Sequence, residues 1–226
     1  QQARIMSQKY DVVCTNPPYM GNRGMNPILS KFIRSKYPDT RTDLFAVFME
    51  LDEHLLKQNG YLAMINQHQW MFLSSFERLR EKLINNRMIS TMLHLGPRSF
   101  PEIGGEVVQS TSFVNRKVNI SRYNGIYLRL IEYKTAELKE QKMLKAISTS
   151  TVDYRYLFKT DSISKIPGIP IAYWVNKKIQ QTFENSSIKE FGYIGKGLDT
   201  CNQERFERYW VEVDINNISL NTTIKN

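Results

Sequence analysis

The chain is poor in cysteine: Cys14 and Cys201 are the two in 226 residues. Two thiols cannot build a disulfide framework, and their scarcity fits a protein of the reducing cytoplasm. Histidine is nearly as rare, and His54, His68 and His94 are scattered along the sequence without ligand-like spacing to the cysteines, so no metal centre is expected. No apolar run approaches the ~18 residues needed to cross a bilayer, which argues against a membrane partner. The start, Gln1-Gln2-Ala3-Arg4, has neither an initiator Met nor an apolar signal core and reads as the cut edge of a longer protein. Paired carboxylates with a lysine, the signature of many nucleases, are also missing, so nothing argues for cleavage. Acidic residues are in deficit, 22 against 31 basic ones, for a net charge of +9. The excess sits in residues 1–150, which hold 21 Lys/Arg and 13 Asp/Glu; residues 151–226 hold 10 and 9. A basic surface favours polyanions by pairing with phosphates and releasing condensed counterions.

What is present is enough for one substantial core, or for one domain plus part of another, at 41% hydrophobic and 23% charged residues. Tyr10–Thr15 predicts a strand that must stop at Asn16-Pro17-Pro18, because proline cannot donate to a ladder. Residues 20–41 predict loop with a short helix over Ile28–Arg34. Thr42 is expected as an N-cap, with Asp43 in the first turn and Leu44, Phe48, Leu51 and Leu55 at helical spacing up to a stop at Gly60. Tyr61–Asn66 predicts a strand. Ser74 and Glu77 have capping-box spacing before a helix carrying Phe76, Leu79 and Leu83, and Met88–Leu95 predicts the next strand. This alternation predicts an α/β fold with a parallel sheet and crossover helices. Val107–Val114 and Tyr127–Tyr133 follow as strands of an antiparallel ending, then a helix over Ala136–Ile147. The polar run Ser148-Thr149-Ser150-Thr151 opens an expected linker, beyond which Ile171–Phe183 predicts a helix and Tyr209–Val213 a strand.

Asn16-Pro17-Pro18-Tyr19 fits a specific chemical problem. The exocyclic amine of adenine is a poor nucleophile because its lone pair is delocalised into the ring. Two acceptors on its two N–H groups would pull the nitrogen toward a pyramidal geometry and localise that lone pair. Asn16 can supply a side-chain carbonyl and Pro17 a backbone carbonyl. The two prolines hold both in place before reaction. Tyr19 can stack on a base flipped out of the duplex. At ~5% per residue type, such a four-letter word arises by chance in roughly one of a thousand chains this long.

Asp11-Val12-Val13-Cys14-Thr15-Asn16-Pro17-Pro18-Tyr19 resembles the catalytic motif of adenine-N6 DNA methyltransferases. Thr42–Glu50 is similar to their following helix, Gly60–Ile65 to the next strand, and Phe100–Val108 to a later segment. Ile169–Trp174 and Gly197–Trp210 resemble the large methyltransferases of BREX phage-defence systems, relatives of methyltransferase–nuclease fusions of restriction–modification systems. The resemblance implies the C-terminal part of a Rossmann-like, S-adenosylmethionine-dependent methyltransferase sheet over residues 1–147, a linker over 148–166, and the start of a target-recognition region over 167–226. It implies methyl transfer to adenine N6 in double-stranded DNA, with other defence-system subunits as further partners. Asn16, Pro17, Pro18 and Tyr19 are then catalytic. The family's glycine-rich cofactor loop and the acids that hold the cofactor lie upstream of its catalytic motif, and nothing in residues 1–15 resembles them. Asn16 is the one residue that could border the cofactor, and the isolated piece is expected to be inactive.

Arg23, Lys31, Arg34, Lys36 and Arg41 crowd the loop after the motif, opposed by Asp39 alone, and are expected to meet DNA phosphates. Arg116, Lys117, Arg122, Arg129, Lys134, Lys139, Lys142 and Lys145 form a second basic stretch that suits a DNA-facing strand pair as well as an ordinary surface. Phe113 stands where the family has an apolar or aromatic residue near the target base and is a candidate for stacking, although a core phenylalanine is the favoured reading. Cys14, inside a strand, is expected to be a buried small hydrophobe. Two alternatives remain at this point. Enzymes that methylate a protein glutamine amide share the four-residue word, and a non-catalytic DNA-binding module would share the charge.

Overall fold

A computed structural model describes residues 2–100, 108–120, 123–164, 166–185, 190–192 and 195. The chain divides into two compact units, Gln1–Asn185 and Ser186–Asn226. In the second, residues 190–192 and 195 are the described ones. The expectations for Gly197–Trp210 and Tyr209–Val213, and most of Phe100–Val108, lie outside the described residues.

After a short helix, α1 (Gln2–Ser7), the chain enters β1 (Tyr10–Thr15). Helices α2 (Pro27–Lys36) and α3 (Leu44–Leu55) follow. Then come β2 (Leu56–Gln67), α4 (Glu77–Asn86) and β3 (Met88–Gly96). Strands β4 (Ser110–Arg116) and β5 (Gly125–Arg129) precede α5 (Ala136–Ser148), β6 (Arg155–Phe158) and α6 (Lys177–Thr182). The six strands form one sheet in the order β1-β2-β4-β3-β5-β6. β1 pairs parallel with β2 and β3 with β5, while β4 runs antiparallel between β2 and β3. The parallel α/β order read from the sequence is therefore present, but the antiparallel ending is arranged differently. β4 inserts into the sheet and never touches β5, which is held by β3 on one side and β6 on the other.

Several local expectations are corrected. Asp43, not Thr42, is the N-cap of α3, accepting from the Phe45 N–H at 3.2 Å. Helix α3 ends at Leu55, well before Gly60, and runs straight into β2. Between the Tyr10–Leu56 and Val12–Tyr61 pairings β2 spends more residues than β1, so a bulge forms, with Asn59 at a φ of 67°. Gly60 belongs to that bulge. A Cβ there would lie 3.0 Å from the Asp11 and Lys57 carbonyl oxygens, tighter than nine in ten Cβ contacts. Ser74 does not close a capping box; Ser74–Phe76 forms a 3-10 turn and α4 starts without a side-chain cap. Residues 148–166 do not run as a linker. They supply β6 at the sheet edge and place Ile163 and Ile166 in the core. The helix expected over Ile171–Phe183 shrinks to Lys177–Thr182, because Ile171 and Tyr173 are drawn into the core as an irregular segment.

The main core lies where α3 and α4 cover the sheet, joining Phe45, Met49, Leu62, Trp70, Leu79, Met92, Phe113 and Tyr127. Each such side chain stabilises the fold by about 1.5–3 kcal/mol on burial. A second cluster, around Leu128, Leu130, Ala146 and Tyr154, takes in Met143 of α5. Arg80 of α4 is fully buried and donates to the carbonyls of Trp70 (2.8 Å), Leu73 (2.7 Å) and Gly168 (3.0 Å). The Ile171 N–H donates to the Met71 carbonyl at 2.9 Å. Together these bonds hold residues 168–173 against the turn that follows β2. Among the described residues no helix is long and apolar enough to cross a membrane.

Candidate active site at the carboxyl ends of the strands

In an open α/β sheet the ligand crevice lies outside the carboxyl ends of the parallel strands. Here β1 ends at Thr15, β2 at Gln67 and β3 at Gly96, so Asn16-Pro17-Pro18-Tyr19 leaves the sheet on that side. Asn16 and Pro18 are exposed, Pro17 is buried and Tyr19 is partly buried. The buried proline anchors the loop, and the Asn16 side chain faces outward. Tyr19 packs on the core through one perpendicular ring contact, with Phe45 at 6.4 Å and 84°. Its hydroxyl is buried without a hydrogen-bond partner, as is that of Ser110, the first residue of β4. Burial raises the Tyr19 phenol above its usual value, and the nearby Ser110 hydroxyl opposes that shift.

Asp43 is the residue the sequence reading undervalued. The same carboxylate oxygen that caps α3 accepts the Met20 N–H at 3.2 Å. Leu44 N–H donates to the Met20 carbonyl at 3.0 Å, and Asn22 N–H to the Thr42 carbonyl at 3.0 Å. The residues just after the tyrosine are thus fastened to the first turn of α3. Burial raises the Asp43 carboxyl above the usual range, with the backbone N–H donors of Phe45, Met20 and Leu44 pulling the other way. The sequence signal was there, an Asp before a helix, but its second bond joins residues 23 positions apart and leaves no local pattern.

Arg23 lies in the 3-10 turn Asn22–Gly24, Lys31, Arg34 and Lys36 on α2, and Arg41 before α3; all five are exposed. Asp39 does not neutralise them. It pairs with Lys82 at 2.8 Å and Arg78 at 3.3 Å, both from α4. The second basic stretch is largely spoken for. Lys117 donates to the Glu53 and Leu56 carbonyls, Arg116 to the Asn59 carbonyl, and Arg129 pairs with Glu132 at 2.7 Å. Lys139 is buried with its ammonium on the Leu95 and Pro97 carbonyls, and burial pulls it down to about 8. Arg122 lies outside the described residues.

Of two single-residue readings, the core one for Phe113 holds and the buried one for Cys14 fails. Phe113 is 2% exposed, packed against Trp70 at 5.2 Å, and presents no face to a base. Cys14 is exposed rather than buried. It stands on β1, the outermost strand on its side of the sheet, where Val12 is likewise 59% exposed. The histidines are not all scattered either: His68 and His94 meet across the ends of β2 and β3. Among the described residues no group of three or more His, Cys, Asp or Glu could hold a metal ion.

The strand ends also test the fit to an S-adenosylmethionine cofactor. Dinucleotide-type sheets hold a cofactor ribose with an acid at a strand end and its anionic groups with a glycine-rich turn. The residues following β1, β2 and β3 are Asn16, His68 and Pro97; none is acidic and no glycine-rich turn follows them. The described strand ends therefore do not by themselves form a cofactor cradle.

A sheet of this order, with a rigid Asn-Pro-Pro-Tyr loop at the carboxyl end of a parallel strand, defines a methyltransferase-type α/β domain. Residues 2–100 match the family model "Eco57I restriction-modification methylase". It is 44% identical over 222 residues to the adenine-specific methyltransferase PglX of Lacticaseibacillus casei strain Zhang, covering 97% of this chain and 18% of the relative. It is 42% identical over 221 residues to the adenine-specific methyltransferase BrxX of Escherichia coli O9:H4 strain HS, covering 96% and 17%. The chain thus spans less than a fifth of the length of these curated relatives. A solved chain of a type I restriction–modification system shares the fold, with a TM-score of 0.56 at 18% identity over 83% of this chain and 42% of that one.

Proposed function

We propose that the protein to which this chain belongs is a site-specific DNA methyltransferase acting in a BREX-type phage-defence or restriction–modification system. It transfers a methyl group from S-adenosylmethionine to adenine N6 in double-stranded DNA. The observation that carries this reading is the Asn16–Tyr19 loop, placed at the carboxyl end of β1 and fastened to α3 through Asp43. The Asn16 side-chain carbonyl and the Pro17 backbone carbonyl accept the two amine N–H groups. Pro18 stiffens the loop, and Tyr19 stacks on the flipped base. S-adenosylmethionine, when bound, supplies the electrophilic methyl group, held by parts of the protein other than the strand ends described here. Arg23, Lys31, Arg34, Lys36 and Arg41 pair with phosphates beside the flipped base, a role their exposure and lack of carboxylate partners among the described residues support. The likeness to two adenine-specific methyltransferases over nearly the whole chain favours a nucleic-acid substrate over a protein glutamine.

The test is Asn16→Ala in the full-length protein, expressed in a host lacking other adenine methyltransferases of the same site. Adenine methylation of the genome, read by sequencing, is expected to vanish, and its survival would overturn the assignment.

A further inference from the structure

The turn after β2, His68–Met71, carries a group of side chains that the methyl-transfer reading leaves unused. His68 Nδ1 lies 2.8 Å from His94 Nε2, and His94 Nδ1 lies 3.1 Å from the Tyr173 hydroxyl. The three residues are 26 and 79 positions apart along the sequence. Phe72 and Trp174 enclose the pair: Phe72 packs on His68 at 5.5 Å, and Trp174 on His94 at 6.0 Å. His94 is 2% exposed and Tyr173 3%, whereas His68 is partly exposed. The chain of hydrogen bonds therefore starts in the core and ends at a surface.

That surface is the one already described. Thr15, the last residue of β1, is paired with Met64 of β2, so the Asn16–Tyr19 loop leaves the sheet beside the residues that lead into His68. Ser110, which neighbours the Tyr19 hydroxyl, is the register partner of Gln67, and the His68 N–H donates to the Gln109 carbonyl at 2.8 Å. Tyr19 and His68 thus meet the adjacent residues Ser110 and Gln109 at the start of β4.

The chain also has a direction. The Tyr173 hydroxyl has His94 as its one hydrogen-bond partner among the described residues, and burial keeps its proton on the oxygen. It therefore donates to His94 Nδ1. His94 then carries its proton on Nε2 and donates to His68 Nδ1. His68 in turn carries its proton on Nε2, which has no hydrogen-bond partner among the described residues. Burial lowers both imidazoles, His94 to about 3, so both are neutral at physiological pH and the donor is an uncharged N–H. Adenine held by two acceptors on its amine offers a ring nitrogen acceptor on either side of that amine.

We propose that His68 is a base-binding residue, its imidazole fixed by the Tyr173–His94–His68 chain so that Nε2–H donates to a ring nitrogen of the adenine whose amine Asn16 and Pro17 hold. His94 and Tyr173 are positioning residues in this arrangement. The proposal rests on the adenine-methyltransferase reading above and deepens it.

The experiment uses the full-length protein and duplex DNA containing its own methylated site, with the target adenine unmodified or replaced by 7-deazaadenine or 1-deazaadenine. One of the two analogues is expected to cost the wild type roughly tenfold in kcat/KM, the size of one lost hydrogen bond in a site built for it. In His68→Ala the same analogue is expected to cost less than about twofold, because the bond is already gone. His68→Gln, which keeps an N–H near the same place, restores sensitivity. Tyr173→Phe, which frees the tautomer, falls between. Equal analogue penalties in wild type and His68→Ala overturn the proposal. So does a wild type indifferent to both analogues, whatever the variants do. Wild-type protein that leaves unmodified adenine untouched overturns the functional reading instead.

Discussion

At the scale of single residues, Tyr19 shows how a side chain can serve two environments at once. Its ring is partly exposed beside Asn16, while its hydroxyl is buried with no hydrogen-bond partner. An unpaired buried hydroxyl is a cost rather than an asset, commonly about 1–3 kcal/mol. Tyr19→Phe is therefore expected to leave stability unchanged or raised, measured by thermal unfolding, and to keep methylation within about threefold. Tyr19→Ala removes the stacking surface, which is worth ~1–3 kcal/mol per base, and is expected to lower kcat/KM by roughly 10- to 100-fold. If the Phe variant were as impaired as the Ala variant, the hydroxyl rather than the ring would be the functional part. The stacking role proposed for the ring came from the sequence, because the neighbouring Asn-Pro-Pro suggests a chemistry. The idle hydroxyl was not, since Ser110 lies 91 positions away and meets it only once β4 has inserted into the sheet.

At the scale of elements, α3 does more than cover the sheet. Asp43 at its start holds the residues after the tyrosine, and Asp52 near its end is buried with one carboxylate oxygen lacking a partner. Burial raises the Asp52 carboxyl to about 6, against a smaller opposing pull from Arg87, which is itself bonded to Glu53 at 2.6 Å. The folded state thus binds this proton more tightly than the unfolded chain, whose aspartates titrate near ~3.9. The advantage is complete below about pH 4 and is lost as pH rises through about 6. Asp52→Asn removes that titration. Relative to the wild type, the variant is expected to gain up to about 2 kcal/mol between pH 4 and pH 7, read from denaturant unfolding. A constant difference across that range would mean that Asp52 stays ionised in the fold.

At the scale of the whole molecule, the described residues place the Asn16–Tyr19 loop at the carboxyl end of β1 and put neither an acid nor a glycine-rich turn at their strand ends. The 226-residue chain alone is therefore expected to bind S-adenosylmethionine weakly. Calorimetry giving a Kd near ~1 μM, about 8 kcal/mol, would contradict this. The basic character also divides at this scale. The cations of residues 23–41 stay exposed, while Arg116, Lys117, Arg129 and Lys139 are consumed in bonds that hold the sheet, its bulge and α5 together. Counting charge along the chain could not separate the two groups, because the separation depends on which backbone carbonyls come within reach.

The sequence by itself determined the α/β class, the strand that ends before Asn16, the helices expected over Ile28–Arg34 and Ala136–Ile147, which the structure extends slightly, and the chemistry that the Asn-Pro-Pro-Tyr word suggests. Each of these rests on local rules: proline ends a ladder, apolar spacing makes a helix face, and adjacent residues define a donor–acceptor pattern. Tertiary structure alone decided that β4 lies between β2 and β3 and that residues 155–158 join the sheet. It also decided that Cys14 is exposed and that His68, His94 and Tyr173 form one chain. These are contacts between residues tens of positions apart. They depend on strand order and on which face of each element is covered, and no short stretch of sequence carries that information.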